Sequence, residues 1–408
     1  MKILLINKYY YKKGGTETYT FGLKDMLEDY GHDVAIFSMH DDRNNYSKYS
    51  DYFIDNIDFN KDKIKNSFKL IYSKEACEKL EKLIKYYKPD LCHVNLIYHH
   101  ITPSIFHILK RYNIPIVFTA HDYKIICPNY KIWNKARCDK CKNGKYINCL
   151  LNKCHKNSYI NSMLMTLEAY THKFLKSYEN IDHIISPSKF MEKTLIDFGL
   201  DKSKITTIPN FLDTYMEKNN RKESVIGDYI LYFGRLSEEK GIETFIKSKK
   251  HISSNIKYKI VGTGPMENII KELITKDNIN NVEILGFLNG EELINEISNS
   301  LCVVIPSEWD EVFGLTVIES FINKKLVITS EQGAFPELIE DGVNGYIFKT
   351  GNEKDLANKI DTIIKIDKSK LKDMQEQVYL NAKEKYSQQH YYERLMDIYN
   401  SFIKNKNS

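Results

Sequence analysis

KILLINKYYYKKGGTETYTFGLKDMLEDYGHDVAIFS, residues 2–38, decides the fold class. KILLIN (2–7) is apolar without alternation, the pattern of a strand covered on both faces, whereas TETYTFGLKDMLEDY (16–30) returns its apolar residues at helical spacing. Gly31 is the expected helix stop, since glycine takes the left-handed conformation at no steric cost, and DVAIFS (33–38) is again short and apolar. Strand, helix and strand make one βαβ unit, whose parallel strands need helices on both faces of a sheet.

The alternation continues outward. LCHVN (91–95), IPIVFTA (114–120) and HIIS (183–186) supply further strands of a first domain, residues 1–207. A second series follows at YILYFG (229–234), KYKIVG (257–262), VEILGF (282–287), LCVVIP (301–306) and LVITS (326–330), within a second domain at 208–385. The junction 208–227 is polar and punctuated, and reads as a linker. Tyr392, Leu395, Met396, Tyr399, Phe402 and Ile403 recur at helical spacing in a last helix within 386–408. The expected architecture is α/β: two Rossmann-like doubly wound domains facing each other across a cleft.

Composition narrows the function classes. With 408 residues, 42% of them hydrophobic, the chain can fill the cores of two or three domains, which excludes a disordered or fibrous protein. A formal net charge of +5 on a chain rich in Ile, Asn and Tyr as well as Lys gives no sign of a nucleic-acid partner. The N-terminal apolar run is too short for a signal or a membrane span, so a cytoplasmic protein is expected. Eight cysteines in this length do not suggest a disulfide framework, yet five crowd into 127–154.

In an open parallel sheet, ligands bind outside the carboxyl ends of the strands, and the second domain has its least ordinary residues there. In FGRLSEEKGIETFI (233–246), Arg235 offers a planar fork to phosphate oxygens and Lys240 a point charge beside a helix start. The alternative is a pair of surface cations facing Glu238 and Glu239. Gly262 and Gly264 of VGTGP let backbone approach a ligand closely, and Phe287 of LGF can meet a nucleobase. In SEWDEVFGLTVIES (307–320), Glu311 falls in a loop, while Glu319 interrupts an apolar helical run. A carboxylate in such surroundings needs partners, and the vicinal hydroxyls of a ribose, or a buried Lys or Arg, would supply them.

Arg235, Lys240, the E-x7-E spacing of Glu311 and Glu319, and the tail GAFPELIEDGVNG (333–345) together resemble the donor half of a family-4 retaining glycosyltransferase of the GT-B fold. The resemblance extends over nearly the whole chain. It implies a nucleotide-diphosphate sugar donor, with Arg235 and Lys240 on the diphosphate, Glu319 on the ribose, and Glu311 with the amides near Phe313 and Gly314 on the sugar. It also implies a last helix that crosses back to the first domain, and a hexosyltransferase acting in cell-surface polysaccharide or glycolipid synthesis.

In the first domain, Gly14 and Gly15 of KKGGTETYT match the family's glycine pair, at a helix start suited to a phosphate. His121 of TAHDY ends an apolar strand; it reads as a contact for the donor sugar or as a satisfied structural histidine. The insert 127–156 carries eight Lys or Arg from 131 onward against one Asp, which suits an anionic saccharide or lipid-linked acceptor and contact with the inner face of a membrane. Cys138, Cys141, Cys149 and Cys154 within it are candidate ligands of a structural zinc, against free thiols or an iron-sulfur site. No Asp-x-Asp pair suited to Mg²⁺ accompanies the diphosphate residues, so donor chemistry without a metal or other cofactor is expected. The rival readings are a nucleotide-sugar 2-epimerase of similar fold and a non-catalytic, zinc-containing nucleotide-sugar-binding protein.

Overall fold

A computed structural model describes residues 1–56, 69–134, 136–212 and 225–407. The chain divides into two compact units, Met1–Pro209 together with Gln388–Ser408, and Asn210–Ser387. Residues 213–224 of the expected linker lie outside the described residues.

The first unit holds β1 (Lys2–Ile6), β2 (Asp33–Phe37), β3 (Leu91–Val94), β4 (Ile116–Thr119), β5 (His183–Ser186) and β6 (Ile205–Thr207), all parallel, in the order β2-β1-β3-β4-β5-β6. Helix Gly15–Asp29 joins β1 to β2. It closes as the sequence suggests: Gly31 has φ +81°, its N–H bonds to Glu28, and the N–H of His32 bonds to Leu27. The second unit repeats the scheme with β7 (Tyr229–Phe233), β8 (Lys257–Val261), β9 (Val282–Gly286), β10 (Cys302–Ile305), β11 (Val327–Ser330) and β12 (Gly345–Phe348), in the order β12-β11-β10-β7-β8-β9. In each sheet the first strand has its successor on one side and a later strand on the other. Those reversals, between β1 and β3 and between β7 and β10, are where an open α/β sheet leaves a crevice for ligands.

Two strands escape the sequence reading, β6 and β12, and both lie at a sheet edge. With three or four residues, paired on one side and partly exposed, neither needs the apolar run that marks a central strand.

Helix Gln388–Asn407 belongs to the first unit. Its buried face is Tyr391, Leu395, Ile398 and Tyr399, so the stripe read from sequence was rotated slightly: Tyr392 and Met396 are half-buried, while Tyr391 and Ile398 were missed. The Tyr391 hydroxyl meets that of Tyr19. Tyr399 Oη lies 2.5 Å from His93 Nδ1, and His93 Nε2 lies 2.7 Å from Thr119 Oγ1, at the end of β4. Arg394 donates to the Thr207 carbonyl at 2.7 Å. The helix is thus tied by polar bonds beneath the strand ends that carry the first unit's candidate site.

Candidate functional site

At the second unit's reversal, the loops after β7 and β10 meet. Lys240 sits in a one-turn 3-10 segment, Glu238–Lys240, just ahead of helix Ile242–Ser248. Its Nζ lies 2.5 Å from Glu311 Oε1 and 5.3 Å from the Trp309 ring centre. The partner is therefore neither Glu238 nor Glu239, the acids weighed from sequence. Ser307 Oγ donates to the same Glu311 oxygen at 2.7 Å. The backbone beneath is fixed by N–H bonds from Glu308 and Trp309 to the Glu239 carbonyl. A Cβ on Gly241 would come 1.9 Å from Pro306 O, so only glycine allows the two loops this close. From the other side, Ala334 N–H bonds to Glu311 O at 2.9 Å, and a Cβ on Gly333 would strike the Glu311 backbone. The GAFPEL loop thereby holds Glu311 in position. Lys240 keeps 29% of its side chain exposed and Glu311 11%. Arg235 is exposed, with its carbonyl bonded by Tyr232 Oη at 2.8 Å.

Two expectations change. Gly262 and Gly264 permit a close approach, but of loop to loop: added Cβ atoms would lie 1.8 Å from Gly234 O and 2.2 Å from Leu236 O. The same loops are stitched by Gly234 N–H to Val261 O and Leu236 N–H to Thr263 O, each 3.0 Å. Glu319 is the second. It lies in helix Leu315–Ile322, on a half-exposed stripe with Leu315 and Thr316, while Val317, Ile318, Ser320, Phe321 and Ile322 are buried. A carboxylate there keeps access to water, so the apolar run around it does not mean burial. Gly314, at φ +112°, starts this helix; the Phe313 side chain is buried against Tyr386, and Phe287 stands 67% exposed at the end of β9.

At the first unit's reversal the chemistry differs. His121 follows β4, its Nε2 3.0 Å from Asn95 Oδ1 and its ring edge-on to Tyr19 at 4.6 Å. Burial pushes its pKa down to about 3, so the ring is neutral near pH 7. The neighbouring Asp122, not nominated from sequence, is pushed up to about 6 by burial. Gly14, the N-cap of helix Gly15–Asp29, has φ −172°, extended backbone open to any residue, and a Cβ there would find ordinary contact with Glu17. Glu17 itself is buried in the helix's first turn, where burial raises its pKa. Glu17 Oε1, Asn95 Nδ2 and His99 Nδ1 are buried without a hydrogen-bond partner among the described residues, on the segments that follow β1 and β3. His99 and Thr102 are held at φ +71° and +65° in the loop after β3, strain of a kind that collects at binding sites.

Cys138, Cys141, Cys149 and Cys154 all lie in the insert after β4, and Cys141 and Cys149 are packed with Met165, against which Cys154 lies. Among the described residues no group of three or more His, Cys, Asp or Glu is arranged to hold a metal ion. Around the insert, an ion pair the sequence does not advertise joins the loop after β4 to helix Tyr159–Phe174: Lys124 Nζ lies 2.5 Å from Glu168 Oε2, with 3% and 1% of the side chains exposed. Lys124 also donates to Pro128 O at 2.9 Å.

Comparison with known proteins agrees with this architecture. The family model Glycosyltransferase Family 4 matches residues 13–215, and Glycosyl transferases group 1 matches residues 216–385. An uncharacterized 42.6 kDa protein in the cps region of Klebsiella pneumoniae is 26% identical over 361 residues, 83% of this chain and 87% of that one. The capsular polysaccharide biosynthesis glycosyltransferase CapM of Staphylococcus aureus is 27% identical over 237 residues, 54% of this chain and 62% of its own length. The crystal structure of Anabaena HepE in complex with UDP matches the fold with a TM-score of 0.68 at 19% identity, over 98% of this chain and 100% of that one. With one model on each half and two doubly wound sheets beneath them, the chain belongs to the family-4 glycosyltransferases and has the GT-B fold.

Proposed function

We propose that this glycosyltransferase takes a sugar from a nucleotide-diphosphate donor and passes it, with retention of anomeric configuration, to a saccharide or lipid-linked acceptor in cell-surface polysaccharide synthesis. The observation that carries the reading is the Lys240–Glu311 pair, which bridges the loops at the second unit's strand reversal and leaves its ammonium partly open. A diphosphate arriving there can take Lys240 from Glu311, with the exposed Arg235 as second cation. Charge-assisted bonds of this kind contribute about 1.5–3 kcal/mol each. As the bond between sugar and phosphate breaks, negative charge grows on the departing phosphate, and fixed cations stabilise it without a metal. The same phosphate oxygen takes the acceptor's proton as the acceptor attacks from the face it leaves. Glu319, half-exposed one turn into its helix, suits the ribose hydroxyls, and Phe287 suits the base. The named homologue in capsule synthesis and the UDP bound to HepE support this reading without fixing the sugar or the base.

The test is thermal stabilisation by UDP-, GDP- and ADP-sugars. At a donor concentration of a hundred times Kd, the native state gains about 2.7 kcal/mol. The donor that stabilises the chain then enters a transfer assay with the product's anomeric configuration read by NMR, with and without chelator. An inverted product, or transfer abolished by chelator, overturns the mechanism. No stabilisation by any of the three overturns the donor reading, and an isomerised free sugar would favour an epimerase. A structural zinc on Cys138, Cys141, Cys149 and Cys154 would require the insert to close around the ion, and metal analysis of the purified chain decides between one equivalent and none.

A further inference from the structure

Among the described residues, a helix of the first unit carries an apolar stripe left largely exposed, covered only where Tyr170 meets Tyr146 and Ile147. Helix Tyr159–Phe174, N-capped by Ser158, buries Ser162, Met165, Thr166, Glu168 and His172. On the opposite side Ile160, Met163, Leu167, Tyr170 and Phe174 recur at intervals of three and four residues and all are exposed, Ile160 to 70% and Phe174 to 86%. The face continues onto helix Ile147–Leu151: Ile147 N–H bonds to Tyr170 Oη at 3.1 Å, and Leu151, one turn on, is 64% exposed. A contiguous patch of this size marks an interaction surface, whereas single exposed apolar residues need no explanation.

Charge identifies the occupant. Lys140, Lys142, Lys145 and Lys156 are exposed in the segments that precede the helix, Lys173 and Lys176 at its C-terminal end, and Lys153 lies over the Tyr159 ring at 4.4 Å. From 140 to 178 the only acid is Glu168, which is buried against Lys124. Lys176 reaches Glu179 at 3.8 Å, just beyond that span. A second copy of this chain docking by the same face would bring lysines against lysines, which opposes a two-fold pairing. An apolar stripe of Ile, Leu, Met and aromatic residues with lysines at its rim is instead the pattern of a helix lying in a bilayer interface, side chains in the acyl boundary and ammonium groups at anionic headgroups. Among the described residues no helix is long and apolar enough to cross a membrane, so contact through this helix is with the surface of one leaflet.

We propose that helix Tyr159–Phe174, with Ile147 and Leu151, is a docking face for an anionic phospholipid surface. The proposal goes beyond the transfer reaction and stands apart from it, because vesicle binding is measured without a sugar. The experiment is sedimentation of the full chain with vesicles of equal parts phosphatidylglycerol and phosphatidylcholine, and with phosphatidylcholine alone. The expected result is partition onto the anionic vesicles that weakens as salt is raised. A variant with Ile160→Ser and Phe174→Ser should lose at least about tenfold in partition, while Tyr46→Ser, an exposed tyrosine elsewhere, should lose nothing. A second variant, Lys142→Glu with Lys145→Glu and Lys156→Glu, tests the charge without touching the apolar face and should also lose about tenfold. Circular-dichroism melting confirms that each variant is folded. Failure of the parent chain to bind, equal binding to neutral vesicles, or undiminished binding by both folded variants overturns the proposal. So does a parent chain that is dimeric by light scattering and becomes monomeric in the Ile160→Ser, Phe174→Ser variant, since the face would then pair with itself.

Discussion

Each unit contains a lysine and a glutamate 2.5 Å apart, and the two pairs differ in how far water reaches them. Lys124 and Glu168 are sealed, with 3% and 1% of their side chains exposed; Lys240 and Glu311 retain 29% and 11%. Buried from water, the first pair joins helix Tyr159–Phe174 to the loop after β4. An ammonium with water at one side can release its carboxylate to a better anion, and it stands at a sheet reversal where ligands bind. Distance does not distinguish the two pairs; residual exposure does.

The comparison breaks most sharply on Lys240. Lys240→Ala should lower kcat/KM for glycosyl transfer about a thousandfold, equivalent to ~4 kcal/mol, with little change in the melting temperature. If melting drops and transfer survives, the pair is a strut like the first. Glu168→Ala should do the reverse: it leaves a buried, unpaired ammonium and should cost about 3 kcal/mol of stability in urea unfolding. Replacing both partners, Lys124→Met with Glu168→Leu, should restore most of that loss.

Acid sharpens the contrast between units. Eleven of the twelve histidines belong to the first unit, and burial pushes two of the fully buried ones, His93 and His172, down to about 3 and about 4. The unfolded chain takes up these protons near pH 6.5 and the native one only near 3 to 4, so their stabilising contribution is complete above 6.5 and is lost as pH falls. Each should cost about 2 kcal/mol between pH 7 and pH 5. Proteolysis at pH 5 should therefore open the first unit before the second; loss of the second unit first would contradict it. The smallest effect expected is at His121. Being neutral, it offers a hydrogen bond rather than a charge, and His121→Ala should lower kcat/KM about tenfold with a flat profile from pH 6 to 8. A strong pH dependence removed by this substitution would show instead that the ring titrates.

One sequence signal occurs twice, with different outcomes. A lone glutamate interrupts an apolar run at LTVIESFI and again at MLMTLEAY. Glu319 proves half-exposed beside Leu315 and Thr316, whereas Glu168 is buried and met by a lysine 44 residues earlier. Hydrophobic neighbours in sequence occupy every side of a helix, so they cannot say which side faces water. Gly314 and the strand end at Pro306 put Glu311 in a loop, where it lies, but that its nearest cation is Lys240 depends on two loops 71 residues apart. Nor did the basic character of 127–156 reveal the largely exposed apolar face that follows it, since Ile160, Leu167 and Phe174 look like any core stripe until their burial is known.

The sequence alone determined what periodicity and steric rules govern: central strands as unbroken apolar runs, a helix stop at glycine, two doubly wound halves and the order of the motifs shared with the family. Tertiary structure alone decided which charges meet, which side of each helix is dry, and that Gly262 and Gly264 yield to neighbouring backbone. The physical reason is range. Backbone sterics and apolar alternation act within a few residues and are written locally, whereas pairing and burial depend on segments that only the completed sheets bring together.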